Sequence, residues 1–234
     1  MSTVSWRFSG KAVYDPRGLK EQLAERGVAP TPELLQANSW TYVRGRKTSI
    51  GKLLMSQTEL EGIANRQGCE HVLVIQEDDR TIVFRDLCVI RTQAIWPNIT
   101  DQRSSGNTPY LVTIGDARYY APYANLQEQH NYRAVDNRRI QSTGNRSARE
   151  VLLELWKELK AVFAQDLTFR NVNDTLLESL NFWGVNAWEA FWEILDLLGW
   201  SFAILFDGTP VVFPLEDAFT NVGNVSQAID TQGS

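Results

Sequence analysis

The sequence is poor in the residues on which most metal sites and nucleophilic sites are built. It has two histidines, His71 and His130, and two cysteines, Cys69 and Cys88, among 234 residues. No His-x-x-x-His or Cys-x-x-Cys pair is present, so neither residue type has the spacing of transition-metal ligands. We therefore expect no metal site and no disulfide framework. The two cysteines are expected to be buried thiols in a protein that folds in a reducing cytoplasm.

Motifs that bind phosphates or activate a nucleophile are also missing. There is no Gly-x-x-x-x-Gly-Lys loop, no Gly-x-Gly-x-x-Gly turn and no Gly-x-Ser-x-Gly elbow. Asp101 and Asp116 flank a loop and a strand end, where catalytic carboxylates can lie. A glycosidase pair, however, cannot be selected from sequence alone. We predict no catalytic residue and no cofactor.

Long apolar runs and an excess of positive charge are absent too. No stretch approaches the ~20 apolar residues of a membrane span, and Met1–Gly10 lacks the apolar core of a signal peptide. The net charge is -5 and the pI is near 5.2, which argues against a general nucleic-acid-binding surface. We expect neither a membrane nor nucleic acid as a partner.

Aromatic and apolar residues are abundant between Leu180 and Leu215, where four of the eight tryptophans lie. Asn186 suits a helix N-cap, Glu189 follows it at capping-box spacing, and Gly199 suits a left-handed C-cap. This pattern predicts a helix over Ala187–Leu198. Its polar residues form one narrow stripe of Glu189, Glu193 and Asp196, so its wide apolar surface needs cover on more than one side. Another helix, a hairpin or a neighbouring subunit could supply that cover.

The predicted helix lies inside a strand-helix-strand-strand module. A short strand is expected near Ser179–Phe182, a second over Ser201–Phe206, a turn at Asp207-Gly208 and a return strand over Val211–Phe213. A long helix, opened by the capping box of Ser147 and Glu150, is expected to precede the module and to run to about Ala164.

Short strands dominate the first half of the chain. Capping and stop patterns also predict three helices, over Pro16–Arg26, over Pro32–Gln36 and from Ser56 to Gly68. Alternating apolar residues predict the strands. The predicted strands are Val4–Val13, Trp40–Arg46, His71–Ile75, Thr81–Arg85, Leu87–Ala94 and Tyr110–Ile114.

We predict an α+β fold, in which a β-rich N-terminal domain with short helices precedes a smaller α/β module. The predicted parts are a β-rich mixed domain over 1–123, a polar linker or arm over 124–146, a helix plus strand-helix-hairpin module over 147–217, and an extended C-terminal arm over 218–234. A structureless loop as long as the second part is unusual inside a compact domain. We interpret it as a linker or as an arm that orders on a partner.

A group of tyrosines, a group of arginines and two tryptophans are candidates for an interface. Tyrosine brings large contact area at low entropic cost, although such rings can also stack a base or a sugar. A basic group could contact phosphate, but pairing with the acidic stripe of a neighbouring subunit is the favoured interpretation. This group consists of Arg133, Arg138, Arg139, Arg146 and Arg149. The candidate interface residues are Tyr119, Tyr120, Tyr123, Arg133, Arg138, Arg139, Trp188 and Trp192.

The run Val185–Phe202, together with Asp207-Gly208, resembles a recurrent unit. In that unit a capped helix ends in Leu-Gly-aromatic and leads into a hairpin with Asp-Gly. Such units occur in baseplate and tail hub proteins of bacteriophages and in the ring-forming periplasmic modules of secretins. The run Tyr110–Tyr119 resembles a strand-turn segment of phage tail proteins. A secretin must be exported, and no signal peptide is evident, so the tail proteins are the better match.

The resemblance implies a structural virion protein at a tail hub, baseplate or tail end, without enzymatic activity or a cofactor. It would assemble into a ring in the host cytoplasm, with copies of itself and other virion tail proteins as partners. One alternative is a virion-associated enzyme or carbohydrate-binding module that uses the region Tyr110–Tyr123. Another is a soluble cellular protein of a different role.

Overall fold

The computed structural model describes residues 4–25, 29, 32–63, 69–95, 109–124, 131–133, 146–177, 179–182 and 186–216. The chain divides into unit 1, Met1–Tyr119 with Phe206–Gly208, and unit 2, Tyr120–Leu205 with Thr209–Ser234. Unit 1 is β-rich with short helices, and unit 2 mixes helices and strands. The predicted α+β fold class is confirmed.

Unit 1 is built on a seven-stranded sheet in which every pair of neighbouring strands is antiparallel. Its strands are β1 (Val4–Phe8), β2 (Lys11–Ala12), β3 (Ser39–Thr41), β4 (Ile50–Ser56), β5 (His71–Glu77), β6 (Arg80–Ala94) and β7 (Pro109–Asp116). They lie in the order β2-β1-β5-β6-β7-β4-β3. Its helices are α1 (Pro16–Glu25), α2 (Pro32–Leu35) and α3 (Gln57–Glu61).

Several predicted strand boundaries differ from the structure. The single strand expected over Val4–Val13 is a hairpin, because Ser9 and Gly10 take positive φ values of 48° and 80° and reverse the chain. The two strands expected over Thr81–Arg85 and Leu87–Ala94 are one strand, β6, in which Asp86 adopts a φ of 57° without ending the ladder. A positive φ at one non-glycine residue leaves no mark in the hydrophobic pattern.

Two predicted elements of unit 1 are longer than those observed. The strand expected over Trp40–Arg46 is only β3, and the chain leaves the sheet after Thr41. The helix expected from Ser56 to Gly68 is α3, which ends at Glu61. The Ser56 hydroxyl accepts the backbone N–H of Glu59, as the capping pattern predicts. Residues 64–68 lie outside the described part of the chain.

Strand β4 was not predicted, although it lies between β7 and β3 in the sheet. Leu53 and Met55 belong to the main apolar core of unit 1, whereas Leu54 belongs to a second cluster with residues of α1 and α2. Because both faces of β4 are buried, its sequence shows no alternation of polar and apolar residues. A short apolar run of this kind cannot be distinguished from a helix segment by periodicity.

Unit 2 contains two helices of twelve residues, α4 (Ala148–Leu159) and α5 (Ala187–Leu198), and a short 3-10 helix at Ala121–Tyr123. Its strands are β8 (Asn131–Arg133), β9 (Arg146–Ser147), β10 (Thr168–Phe169), β11 (Leu176–Leu177), β12 (Ser179–Asn181), β13 (Trp200–Ile204) and β14 (Pro210–Pro214). They form the sheets β10-β14-β13, β11-β9 and β12-β8.

The predicted strand-helix-strand-strand order is present in unit 2, but its first strand pairs elsewhere. Strand β12 pairs with β8, from the polar segment that we interpreted as a linker or arm. Strand β14 pairs with β13 as a hairpin and with β10 in parallel. Pairing between strands far apart in sequence depends on tertiary packing, and it is not encoded in the local pattern.

Both helices of unit 2 begin at the predicted caps. The Asn186 side chain accepts the N–H of Glu189 at 2.8 Å, and Gly199 closes α5 in the left-handed conformation with a φ of 64°. Ser147 and Glu150 form a reciprocal capping box at the start of α4. Helix α4 ends at Leu159, short of the predicted Ala164, because the next residues turn and place Phe163 against Trp156, with ring centroids 4.6 Å apart.

The wide apolar surface of α5 is covered from two sides within unit 2. The ring centroid of Trp156 in α4 lies 5.6 Å from that of Phe191. The ring centroid of Phe202 in β13 lies 5.6 Å from that of Trp188. Trp188 and Phe191 stack at 5.6 Å with an interplanar angle of 5°. Aromatic pairs at such distances contribute roughly 0.5–1.5 kcal/mol each beyond their burial. The helix and the hairpin therefore supply the cover that the sequence showed to be necessary.

A substitution at Gly51 tests the close approach of β3 and β4. A Cβ atom at Gly51 would lie 2.7 Å from both the Ser39 carbonyl oxygen and Trp40 Cε3. We expect Gly51→Ala to lower the free energy of unfolding by about 1–3 kcal/mol, because the strands must separate to admit the methyl group. Equilibrium urea denaturation measures this change.

Gly18→Ala is the matched control, because a Cβ atom there meets nothing within 4 Å and the residue lies in α1. We expect it to stabilise the protein by roughly 0.5–1 kcal/mol through reduced chain entropy. Equal effects of the two substitutions would contradict the packing described for β3 and β4.

Candidate functional site

The side chains of Asp116 and Arg118 form a buried ion pair at the end of β7. Arg118 Nη2 lies 2.6 Å from Asp116 Oδ2, and Arg118 Nε donates to Oδ1 at 3.0 Å. The backbone N–H groups of Ser49 and Arg118 donate to the same carboxylate at 2.9 and 3.0 Å. Four donors thus saturate Asp116, which has no carboxylate oxygen available for general acid or base chemistry.

Arg118 also holds the loop that connects β3 to β4. Its Nη1 donates to the Gly45 carbonyl at 2.7 Å, and its Nη2 donates to the Val43 carbonyl at 2.6 Å and to Ser49 Oγ at 2.8 Å. A buried guanidinium is tolerated only when its donors are paired. The network is therefore structural: it fixes the loop, which exposes Arg46 and Lys47 at its tip. The sequence analysis did not single out Arg118, and the Asp-x-Arg spacing carries no signature of such a network.

The three candidate tyrosines differ in exposure. Tyr119 is half-buried in unit 1, at the end of the 3-10 helix Ala117–Tyr119. Tyr120 and Tyr123 belong to unit 2 and are 37% and 72% exposed. The 3-10 helix that carries Tyr123 packs against α5, and the Ala187 N–H donates to the Ala124 carbonyl at 3.2 Å. These contacts fix the backbone beneath Tyr123 and leave its ring at the surface.

Helix α5, on which this tyrosine-bearing turn packs, also carries the acidic stripe. Glu189, Glu193 and Asp196 are exposed at successive turns of the helix, while its buried residues lie in the aromatic core. We refer to Tyr120, Tyr123 and these three carboxylates as the acidic-aromatic surface. An exposed aromatic ring beside charged residues is the composition of an interface centre with a polar rim.

Two of the remaining candidate residues, Trp188 and Trp192, do not contribute to this surface. Trp188 and Trp192 are only 2% and 6% exposed and pack within unit 2, so their rings are not available to a neighbour. Arg133 lies in β8, opposite Ser179. Arg138 and Arg139 lie outside the described residues.

Two further arginines of the basic group bind within unit 2. Arg146 Nη1 lies 2.7 Å from Glu154 Oε2. The guanidinium of Arg149 donates to the Val172 carbonyl and lies 5.5 Å from the centre of the Phe169 ring. The sequence favoured pairing of this group with an acidic neighbouring subunit. Arg146 and Arg149 instead contact residues of their own unit.

His71 packs and hydrogen-bonds within unit 1. His71 is buried, its Nδ1 lies 2.9 Å from Ser9 Oγ, and its ring lies 5.0 Å from that of Phe8. His130 and Asp101 lie outside the described residues. Within the described ranges, no three His, Cys, Asp or Glu side chains come close enough together to hold a metal ion. In the same ranges, no helix combines the length and the apolarity that crossing a membrane requires.

Removal of the Arg118 guanidinium tests the structural role of the ion pair. We expect Arg118→Met to destabilise unit 1 by about 3–5 kcal/mol, because Asp116 would stay buried without its countercharge. The double variant Arg118→Met with Asp116→Leu is expected to lose less than the sum of the two single losses. Urea denaturation of the four proteins completes the cycle.

The exposed pair of Asp15 and Arg17, 2.8 Å apart, provides the control for this cycle. Solvent screens such a pair, so Arg17→Met should change stability little. If the loss in Arg118→Met were as small as in this control, the ion pair would not hold the loop.

The chain is similar to several solved structures. A tail protein from Neisseria meningitidis MC58 shares 11% identity at a TM-score of 0.49, over 90% of this chain and 50% of that one. An E. coli component of the type VI secretion system is described as structurally similar to T4 bacteriophage tail proteins. It shares 12% identity at a TM-score of 0.45, over 75% of this chain and 45% of that one. A 43 kDa tail protein of prophage MuSo2 from Shewanella oneidensis shares 9% identity at a TM-score of 0.44, over 91% of this chain and 53% of that one.

The chain spans about half the length of each of these proteins. No protein-family model and no curated protein sequence matches it. Two of these three proteins are described as tail proteins, and the third as a component of a type VI secretion system.

Proposed function

We propose that the chain is a structural subunit of a phage-type tail and works by assembly rather than by catalysis. Its place would be a hub, a baseplate or the tail end, in a ring of copies that also contacts other tail proteins of the virion. Two of the solved proteins described above are tail proteins, but support for the proposal comes from this chain's own residues.

The observation that carries the proposal is the acidic-aromatic surface of unit 2. Tyr123 keeps 72% of its surface exposed on a short helix whose backbone is fixed against α5. A rigid, exposed tyrosine is a typical interface anchor, because it buries a large area at little cost in side-chain entropy. The exposed carboxylates of α5, Glu189, Glu193 and Asp196, would make the contact selective for a basic partner.

The exposed tip of the β3–β4 loop has the complementary charge. Arg46 and Lys47 are exposed there, on a backbone fixed by the buried Arg118 network. In a ring, each copy would offer this loop to the acidic-aromatic surface of the next copy. Contacts between two different patches are heterologous, and such contacts close into rings when the rotation between copies permits.

The alternative of an enzyme or carbohydrate-binding module uses the region Tyr110–Tyr123, in which Asp116 is the one carboxylate. Asp116 is buried and accepts four hydrogen bonds within the fold. Its carboxylate therefore offers no free acceptor to a substrate or a sugar. This observation favours assembly over the alternative.

A substitution of Tyr123 tests the assembly surface. We expect the full chain to self-associate with rising concentration in sedimentation velocity, and Tyr123→Ser to weaken that association at least tenfold through loss of the anchor ring. Tyr14→Ser is the matched control, since Tyr14 is also a surface tyrosine, 39% exposed, but belongs to unit 1. A wild-type chain that stays monomeric at every concentration would refute assembly into rings.

Charge reversal tests the proposed partner of that surface. We expect Glu189→Lys with Glu193→Lys to abolish association, because lysines would face the basic loop. Adding Arg46→Glu and Lys47→Glu in the same chain should restore it, since the charges become complementary again. The wild-type association should weaken with added salt. If the fourfold variant fails to associate while its unfolding transition is unchanged, the pairing of these two patches is wrong.

A further inference from the structure

Lys52, Thr113 and Arg91 form a row across three neighbouring strands of unit 1, which we call the basic row. Thr113 of β7 pairs with Lys52 of β4 on one side and with Arg91 of β6 on the other. Residues that pair directly across a ladder point to the same face of the sheet, and successive residues of a strand point to opposite faces. Leu53 and Ile114, the sequence neighbours of Lys52 and Thr113, lie in the main apolar core. The basic row therefore lies on the face that points away from that core.

The two cations of the basic row form no ion pair with a carboxylate among the described residues. Arg91 is exposed. Lys52 Nζ donates to the neutral amide oxygen of Gln36 at 2.6 Å, which leaves two of its three N–H donors for another group. Thr113 adds a partly buried hydroxyl between the two cations. The row is therefore able to receive a carboxylate from outside its own unit.

Among the described residues, the face around the basic row is covered on one side and open on the other. Leu54 and Leu111, which lie two residues further along β4 and β7, pack against residues of α1 and α2. On the other side, Ile50 is 42% exposed. Ile50 is the first residue of β4 after the β3–β4 loop, and Lys52 lies about 7 Å further along the strand. The basic row and the basic loop tip are thus parts of one surface.

We propose that the basic row binds Asp196, the last carboxylate of the acidic stripe on α5, in a second copy of this chain. This inference rests on the proposed assembly and deepens it by naming a second contact of the same interface. The loop tip supplies two cations, whereas the stripe has three exposed carboxylates. With Glu189 and Glu193 at the loop tip, Asp196 is the carboxylate that still needs a countercharge, and the basic row provides it.

The dimensions of the stripe match this arrangement. A helix rises about 1.5 Å per residue, so Glu189 and Asp196 lie about 10 Å apart along α5 and on the same side of it. A helix lying along β4 would thus reach from the loop to the basic row. Leu197, which is 63% exposed beside Asp196, would lie against the exposed Ile50. Burial of these two side chains would add an apolar contact to the charged one.

Charge reversal of the basic row tests this contact in the full chain. We expect the row variant, Lys52→Glu with Arg91→Glu, to weaken self-association in sedimentation velocity roughly tenfold or more, because two carboxylates would face Asp196. Asp196→Lys alone should weaken the association to a similar extent. The two changes combined in one chain should restore it, since the lysine at position 196 would then meet two carboxylates.

Arg7→Glu is the matched control, because Arg7 is an exposed arginine of the same sheet but lies in β1, away from the basic row. It should leave the association unchanged. Arg91→Glu alone should weaken the association and keep the urea unfolding transition of the wild type, because the Arg91 side chain is exposed. This single variant keeps the test decisive if replacement of the partly buried Lys52 lowers stability.

The outcomes separate this inference from the proposed function. A wild type that stays monomeric refutes both. A wild type that associates, together with a folded Arg91→Glu or row variant that associates equally well, refutes the contact with the basic row and leaves the loop contact in place. If Asp196→Lys does not restore the association of a folded row variant, the basic row does not bind Asp196.

Discussion

The buried ion pair between Arg118 and Asp116 is the contact on which the organisation of unit 1 depends. A charge removed from water is stable only when its hydrogen-bonding groups are satisfied. Here one guanidinium satisfies the carboxylate, two loop carbonyls and the Ser49 hydroxyl. The end of β7, the start of β4 and the loop between β3 and β4 are thereby held by a single side chain. The exposed basic tip of that loop is thus held in place by the buried guanidinium of Arg118.

Unit 2 uses a different means of stabilisation. Its centre is a cluster of aromatic rings from α4, α5 and β13, with Trp188 and Phe202 among its members. Dispersion and burial act in all directions, so such a cluster allows a surface helix to keep only one polar stripe. That stripe is the acidic part of the proposed assembly surface. The same helix thus explains both the stability of the unit and the charge that it presents.

Among the described residues, three polar side chains that could serve in catalysis are buried and hydrogen-bonded within the fold. Asp116, Arg118 and His71 are buried and hydrogen-bonded, whereas Tyr123, Arg46 and Lys47 face solvent on rigid backbone. Buried polar groups with satisfied partners stabilise a structure, and exposed aromatic and charged groups on rigid supports bind other molecules. This distribution among the described residues is the basis on which we propose a role in assembly.

Local features were predictable from the sequence, because their physical causes lie within a few residues. The caps Asn186 and Gly199 define α5, Ser147 and Glu150 open α4, and the polar turn after β5 joins two strands. Strand β4 escaped prediction because burial on both faces removes the alternation that marks a strand. The Arg118 network joins residues far apart in the chain. The sequence by itself determined where α4 and α5 begin, where α5 ends and how much apolar surface needs cover. Only the tertiary structure decided which strands pair and which charges meet, because those contacts depend on packing between distant segments.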